Sequence, residues 1–110
     1  MLAADMDFGV TDSVFVPFFG VPACTLTSVS RLAHLTGARV VPFVTEVLPK
    51  FRGYRLRVFD PLDGFPSNCV VEDARRINAF LEVQIQAAPE QYYWVHRRFK
   101  NRPPGMSPVY

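Results

Sequence analysis

The residues best suited to bind a charged ligand lie between Pro89 and Tyr110. This segment contains one acidic residue, Glu90, so its net charge is +3, whereas residues 1–88 have a net charge of −1. Its cations are Arg97, Arg98, Lys100 and Arg102. Cationic side chains bind phosphate oxygens, and the run Tyr92-Tyr93-Trp94 supplies rings that suit a membrane interface or base stacking. The residues alone therefore predict a surface for anionic lipid or single-stranded nucleic acid. The alternative is structural, with the rings packed on the domain and the arginines paired with acids or water.

The two histidines are not placed as catalytic bases by their sequence context. A histidine base needs a carboxylate that orients it and a substrate hydroxyl within hydrogen-bond reach. His34 is followed five positions later by Arg39, and His96 by Asn101. We therefore predict that His34 interacts with the dipole of a helix end and that His96 packs or forms a structural hydrogen bond.

Cysteines and acids give two weaker indications. Cys24 and Cys69 have no CxxC spacing and no neighbouring histidines, so we predict reduced, half-buried thiols and neither a zinc site nor a disulfide framework. Asp5 and Asp7 form an Asp-x-Asp pair, which holds a turn or caps a loop in most proteins and contacts substrate in some. Both roles remain open for this pair.

Composition limits the chain to one modest domain or part of one. With 110 residues and 49% hydrophobic residues, it can bury a single core and is too apolar to be disordered. The first residues lack the basic and apolar regions of a signal peptide, and no apolar run approaches the ~20 residues of a membrane-spanning helix.

Hydrophobic periodicity predicts alternating strands and helices. An apolar β-branched run predicts a strand over 13–19 that ends in a turn at Gly20 and Pro22, followed by a helix from about Thr25 to Thr36, with Gly37 just beyond its end. The run 39–44 then predicts a second strand, parallel to the first because the helix serves as a crossover.

The second half of the chain continues the pattern. Alternation over 54–59 predicts an edge strand, and the stripe Val70, Ala74, Ile77, Leu81 and Ile85 predicts a long helix that Pro89 ends. A short helix from Pro89 through His96 follows, and ordered structure is expected to end at 103–105. We therefore predict an α/β fold with a mixed, mostly parallel sheet flanked by helices, forming one domain over 1–103 with a tail at 104–110.

Three segments together resemble the lipid A biosynthesis acyltransferases, a branch of the lysophospholipid acyltransferase superfamily. The closing stretch 89–103, PEQYYWVHRRFKNRP, is the most specific of them. The blocks 5–9 (DMDFG) and 14–23 (VFVPFFGVPA) resemble the middle of the family's sequence, and Val40-Val41-Pro42-Phe43 resembles a strand of the wider superfamily. The chain is therefore similar to the C-terminal part of such a protein.

The resemblance implies an activity, partners and a location. Members transfer a fatty acyl group from acyl-carrier protein to a hydroxyl of a lipid A precursor in lipopolysaccharide biosynthesis, with no cofactor besides the acyl donor. The implied partners are acyl-carrier protein, the lipid A precursor and the inner-membrane surface at its cytoplasmic face, and no nucleic acid. The fold implied is the C-terminal portion of a lysophospholipid-acyltransferase-like domain.

The resemblance also suggests roles for individual residues. It makes Phe18, Phe19, Gly20 and Val21 candidates for an acyl-chain groove, although aromatic residues beside a turn more often form ordinary core. Arg97, Arg98, Lys100 and Arg102 become candidates for lipid or lipid A phosphates.

The family's catalytic His-x4-Asp/Glu motif has no counterpart among these 110 residues, and no carboxylate precedes Gly20 as in the superfamily's Pro-Glu-Gly-Thr turn. We therefore expect no catalytic or metal-binding residue here and no acyl transfer by this chain alone. The alternative function is a small basic and aromatic module that binds anionic lipid or nucleic acid without catalysis.

Overall fold

Two antiparallel β-hairpins and two helices make up the fold. The computed structural model describes residues 1–110. Its regular elements, in chain order, are β1 (Ser13–Phe18), β2 (Val21–Leu26), α1 (Ser28–Thr36), β3 (Phe43–Val47), β4 (Tyr54–Val58) and α2 (Val70–Ala87). Single 3-10 turns lie at Pro49–Phe51 and Pro89–Gln91.

The first hairpin replaces part of the predicted helix. Phe19 and Gly20 both have positive φ, +50° and +76°, so they form a two-residue reversal that returns the chain directly alongside β1. The residues that flank such a turn form a hydrogen-bonded pair, so Pro17 and Pro22 face each other in the next, non-hydrogen-bonded pair, where neither needs an N–H. The turn predicted at Gly20 is confirmed, but the segment after it is a strand.

The second hairpin corrects the predicted sheet. β3 pairs with β4 in antiparallel register, Phe43 opposite Val58, and neither strand pairs with β1 or β2. The prediction of a mixed, mostly parallel sheet is therefore wrong, and the structure contains two separate two-stranded antiparallel sheets. The physical reason is the turn at Phe19–Gly20, which pairs β1 with β2, so that α1 follows β2 and is not a crossover from β1 to β3. The short connection 48–53 then pairs β3 with β4 in antiparallel orientation.

The helices agree more closely with the sequence pattern. α1 ends where predicted, since Gly37 adopts φ +68° and donates its N–H to the carbonyl of Ala33 at 2.9 Å. α2 buries Ala74, Ile77 and Ile85 from the predicted stripe, and it also buries two polar residues that the pattern did not indicate, Asp73 and Asn78.

The core is small and has two parts. Phe18, Ala23 and Ile85 form one buried cluster, and Ala33, Phe65 and Ile77 form the other. Leu81 of α2 packs against both clusters. The molecule measures 45 × 38 × 19 Å, a slab about two layers thick that leaves many large apolar side chains exposed.

The C-terminal segment is irregular. The predicted helix from Pro89 to His96 is only the turn Pro89–Gln91, and no regular element follows it. Its last residue contacts the body of the segment, because the Tyr110 hydroxyl accepts the N–H of Phe99 at 3.1 Å. Neither α1 nor α2 has the length and apolar character of a membrane-spanning helix.

Candidate functional site

A large apolar cavity lies between α1, α2, β3 and the N-terminal residues. Its volume is about 730 Å³, and most of its lining side chains are hydrophobic. Met1 to Asp5 line it, as do Tyr92 and Tyr93 of the C-terminal segment. An apolar cavity of this size with few polar groups is typical of a small-molecule or lipid-chain site.

Some of the polar groups that line the cavity are held in place by contacts within the chain. Arg57 donates to the side-chain oxygen of Gln84 at 3.3 Å, and its guanidinium lies 5.6 Å from the centre of the Phe59 ring. The Tyr92 hydroxyl donates to the backbone carbonyl of Asp5 at 3.5 Å. Burial, reinforced by the negative charge of Asp5, raises the pKa of Tyr92 to about 12. Tyr92 is therefore a neutral hydrogen-bonding group at physiological pH.

The predicted acyl-groove residues lie outside this cavity. Phe18 is 1% exposed and belongs to the core, where its ring packs edge-on against Phe19 with the ring centres 4.9 Å apart. Phe19 and Gly20 are exposed at the hairpin turn, and Val21 is half-buried. None of the four lines the cavity. Phe18 is an ordinary core residue, which was the alternative to its role in an acyl groove.

Of the two aspartates, Asp7 holds the C-terminal segment in place. It is 1% exposed, and its carboxylate accepts hydrogen bonds from the side chain of Asn101 at 2.7 Å and from the backbone N–H of Asn101 at 3.2 Å. The backbone N–H of Asp7 donates to Nε2 of His96 at 2.8 Å. Asp5 is half-buried and borders the cavity. Asp7 therefore links the two ends of the chain, whereas Asp5 is placed where a ligand could reach it.

Two of the four predicted cations point into the protein. Arg98 is 2% exposed and donates to the carbonyl of Cys24 at 2.6 Å and to the hydroxyl of Thr25 at 3.0 Å. Arg102 donates to the carbonyl of Pro22 at 2.7 Å. Arg97 and Lys100 are exposed. Only those two cations are exposed to a ligand at the surface, and the Arg97 guanidinium lies 5.7 Å from the centre of the Tyr110 ring.

The burial of Arg98 corrects its predicted place on a contact surface. Its guanidinium lies 5.2 Å from the centre of the Phe18 ring and forms no ion pair with a carboxylate. Desolvation lowers the pKa of Arg98 from its ordinary value, although nearby negative groups, including Asp7, oppose that shift. Protein oxygens and an aromatic face therefore take the place of the phosphate expected from the sequence.

A second buried polar group joins the two helices. The carboxylate of Asp73 accepts hydrogen bonds from the Ser30 hydroxyl at 2.5 Å and from the Ser67 backbone N–H at 3.0 Å. Burial by itself raises the pKa of Asp73, but these hydrogen bonds outweigh it and lower the pKa overall. The sequence contains a sign of this contact, because Asp73 lies four residues before Ile77 and thus on the inner face of α2.

The histidines and cysteines have structural surroundings. His96 accepts a backbone hydrogen bond as predicted, and Nε2 of His34 lies 2.7 Å from the carbonyl of Ser67. Neither imidazole is hydrogen-bonded to a carboxylate. Cys24 is buried and Cys69 exposed, both are free thiols, and burial raises the pKa of Cys24. No group of His, Cys, Asp and Glu side chains is arranged to hold a metal ion.

Comparison with known proteins gives one consistent result. The sequence profile of the family described as bacterial lipid A biosynthesis acyltransferase matches residues 1–101. The lipid A biosynthesis lauroyltransferase of Escherichia coli K12 is 43% identical over 109 residues, which cover 98% of this chain and 36% of that protein. The palmitoleoyltransferase of the same strain is 38% identical over 98% of this chain and 35% of its own length, and the myristoyltransferase is 35% identical over 92% and 31%. The chain thus spans about a third of the length of the curated relatives it matches.

Proposed function

Because the chain belongs to the bacterial lipid A biosynthesis acyltransferase family, we propose that it takes part in transferring a fatty acyl group to a hydroxyl of a lipid A precursor. The observation that carries this proposal is the family match over residues 1–101, together with 43% identity to a lauroyltransferase across nearly the whole chain. The same match confirms the resemblance indicated by the closing segment.

The proposed donor is acyl-carrier protein, with no further cofactor. In the reaction, the acceptor oxygen forms a bond to the thioester carbonyl carbon, the carbon–sulfur bond breaks, and the hydroxyl proton is transferred through a base to the leaving thiolate. His34 and His96 are engaged by backbone groups and lack an orienting carboxylate, so neither is suited to be that base. We therefore propose that residues other than these 110 supply the base and that this chain alone does not transfer acyl groups.

The contribution proposed for this chain is to bind substrate. The cavity of about 730 Å³ is large enough for part of a fatty acyl chain, and its apolar lining suits methylene groups. Asp5 and Tyr92 at its border are available to orient a polar head group. The proposed acyl site is therefore the space between the helices and β3, whereas the sequence predicted residues 18–21.

The proposed location is the cytoplasmic face of the inner membrane. Arg97 and Lys100 are exposed, and their charges suit the phosphates of lipid A or of phospholipids. Arg98 and Arg102 are occupied by backbone carbonyls, so they are not proposed as phosphate ligands. No feature of the site favours nucleic acid over lipid.

Lipid A mass spectrometry tests the acyltransferase proposal. In a chimera, this chain replaces the matched third of the Escherichia coli lauroyltransferase. The chimera is expressed in a strain that lacks the lauroyltransferase. The expected result is a mass gain of one acyl group with the chimera and none with the 110-residue chain alone. A folded chimera without any gain would overturn the proposed activity, and a gain from the chain alone would show that its own residues supply the base. The control is the remaining two thirds of the lauroyltransferase expressed without this chain.

A further inference from the structure

The β3–β4 hairpin, residues 43–58, has an exposed apolar face. We call these residues the hairpin finger. On this face Phe43 is paired with Val58 and Val47 with Tyr54, and Leu56 lies between them. The five side chains are between 44% and 74% exposed. The distribution is the reverse of that expected for a hairpin covering a soluble core, because here apolar side chains face outward.

The opposite face of the two strands carries three charged residues, Glu46, Arg55 and Arg57. Glu46 and Arg55, paired across the strands, form an ion pair at 3.2 Å, and Arg57 reaches Gln84 of α2. The Glu46–Arg55 pair lies within the finger, whereas Arg57 on Gln84 and the side chain of Gln91 on the backbone of Val47 join the finger to the body of the protein. A rotation of the finger that would bury its apolar face would break the Arg57–Gln84 contact.

The tip of the finger presents a single aromatic side chain. The N–H of Leu48 donates to the carbonyl of Gly53 at 2.9 Å and closes the loop, and Phe51 at its end is 105% exposed. Lys50 and Phe51 both adopt left-handed backbone conformations, with φ of +58° and +56°. Two adjacent residues other than glycine rarely occupy this region, and such strain is concentrated at functional sites. No contact within the chain accounts for an aromatic ring held in this position.

The charges around the tip match one kind of partner. Lys50 and Arg52 flank Phe51 and take part in none of the three ion pairs of the structure. The finger has a net charge of +3, so the rest of the chain has a net charge of −1. An anionic bilayer attracts adjacent cations and accepts an aromatic ring among its headgroups and upper acyl chains.

From this arrangement we infer that the hairpin finger inserts Phe51 into an anionic lipid surface, with Lys50 and Arg52 on the lipid phosphates. The exposed apolar face then lies against the bilayer interface instead of water. This deepens the proposed membrane location and rests on it for its biological setting, but vesicle binding is measurable without acyl transfer. The finger, and not the basic C-terminal segment, becomes the principal lipid contact.

Vesicle flotation with the 110-residue chain tests the inference. Wild-type protein is expected to float with vesicles that contain phosphatidylglycerol and to remain unbound with pure phosphatidylcholine. Phe51→Ser should weaken binding about tenfold through loss of apolar burial. Removing Lys50 or Arg52 by substitution with Ser should weaken it about fivefold each. All three side chains are exposed, so circular dichroism should be unchanged.

Two control variants separate the finger from other surfaces. Phe8→Ser removes an aromatic ring that is 63% exposed and lies between Asp7 and Gly9, and it should leave vesicle binding unchanged. Arg97→Ser combined with Lys100→Ser removes the two exposed cations of the C-terminal segment. The inference would be overturned if the double variant lost vesicle binding while the finger variants bound vesicles as tightly as the wild type. It would also be overturned if the finger variants bound vesicles normally but no longer self-associated in analytical sedimentation.

Fluorescence distinguishes insertion from adsorption. With Phe51→Trp placed in a Trp94→Phe background, the fluorophore is at the tip of the finger. Quenching by lipids brominated in their acyl chains is expected, and vesicle binding without quenching would overturn insertion. Because the chimera assay measures acyl transfer separately, vesicle binding without acyl transfer would reject the proposed activity and leave this inference standing.

Discussion

Arg98 and Arg102 donate hydrogen bonds to two alternate carbonyls on the same edge of β2, those of Cys24 and Pro22, at 2.6 and 2.7 Å. Both acceptor residues lie in non-hydrogen-bonded pairs of the hairpin, so their carbonyls point away from β1. An uncovered strand edge is a template for pairing with another chain. The spacing of the two arginines therefore allows their guanidinium groups to cover this edge of β2.

Removing the Arg98 side chain should be strongly destabilising. Arg98→Ala leaves the carbonyl of Cys24 and the side-chain oxygen of Asn78 without a donor, removes one of the two donors to the Thr25 hydroxyl and opens space beside Phe18. We therefore expect the free energy of unfolding to fall by about 2–4 kcal/mol. Urea denaturation followed by circular dichroism measures this change. The matched control is Arg97→Ala, an exposed neighbour that should change stability by less than about 0.5 kcal/mol. Equal stability of the two variants would contradict the structural role of Arg98.

Asp7 should control the attachment of the C-terminal segment. Asp7→Ala removes both acceptors of Asn101 and the acceptor of the Gly9 N–H, and we expect a loss of about 1–3 kcal/mol. Amide hydrogen exchange should accelerate at Asn101 and Gly9 more than in α2. Asp63→Asn is the control, because Asp63 is exposed and forms no hydrogen bond in the structure. Unchanged exchange at Asn101 in Asp7→Ala would rule out this attachment.

Sequence patterns predicted the individual helices and strands better than they predicted which strands pair. The stripe Ala74, Ile77 and Ile85 and the glycine after α1 followed directly from helical periodicity and local capping. The hairpin at Phe19–Gly20 did not, because the usual two-residue turn has Asn or Asp before Gly and not Phe. Once β2 was missed, α1 looked like a crossover and a parallel sheet followed from it.

The candidate site was predicted less completely, for a related reason. Arg97 and Arg98 are neighbours of the same type, and only the tertiary structure places Arg97 in solvent and Arg98 against the edge of β2. The tip at Phe51 gave no periodic pattern at all. The exposure of Phe51 depends on a left-handed backbone conformation, which a sequence indicates only where it has Gly or Asn.

Asp73 should make stability depend on acidic pH. Its pKa is lowered in the folded state, so the unfolded state binds the proton more tightly. This contribution is present above the ordinary pKa of about 3.9 and is lost as pH falls through the folded value. We expect Asp73→Asn to be about 1–2 kcal/mol less stable than wild type at neutral pH, with the difference shrinking below about pH 4. Urea titrations at several pH values measure it, and a difference that grew on acidification would contradict the assignment.

Tyr92 should make stability depend on alkaline pH in the opposite direction. Burial raises its folded pKa to about 12, whereas an unfolded tyrosine ionises near 10, a value typical of the free side chain. Both states hold the proton below about pH 10, so the contribution is complete there, and it is lost as pH rises from the unfolded to the folded pKa. The Tyr92→Phe variant has no hydroxyl to ionise at this position, so it should lose less stability than wild type between about pH 10 and pH 12. The difference in near-ultraviolet absorbance between wild type and Tyr92→Phe reports the titration of this hydroxyl directly. A transition near pH 10 in that difference would mean that Tyr92 is solvated, and the wall of the cavity beside Asp5 would then be open to water.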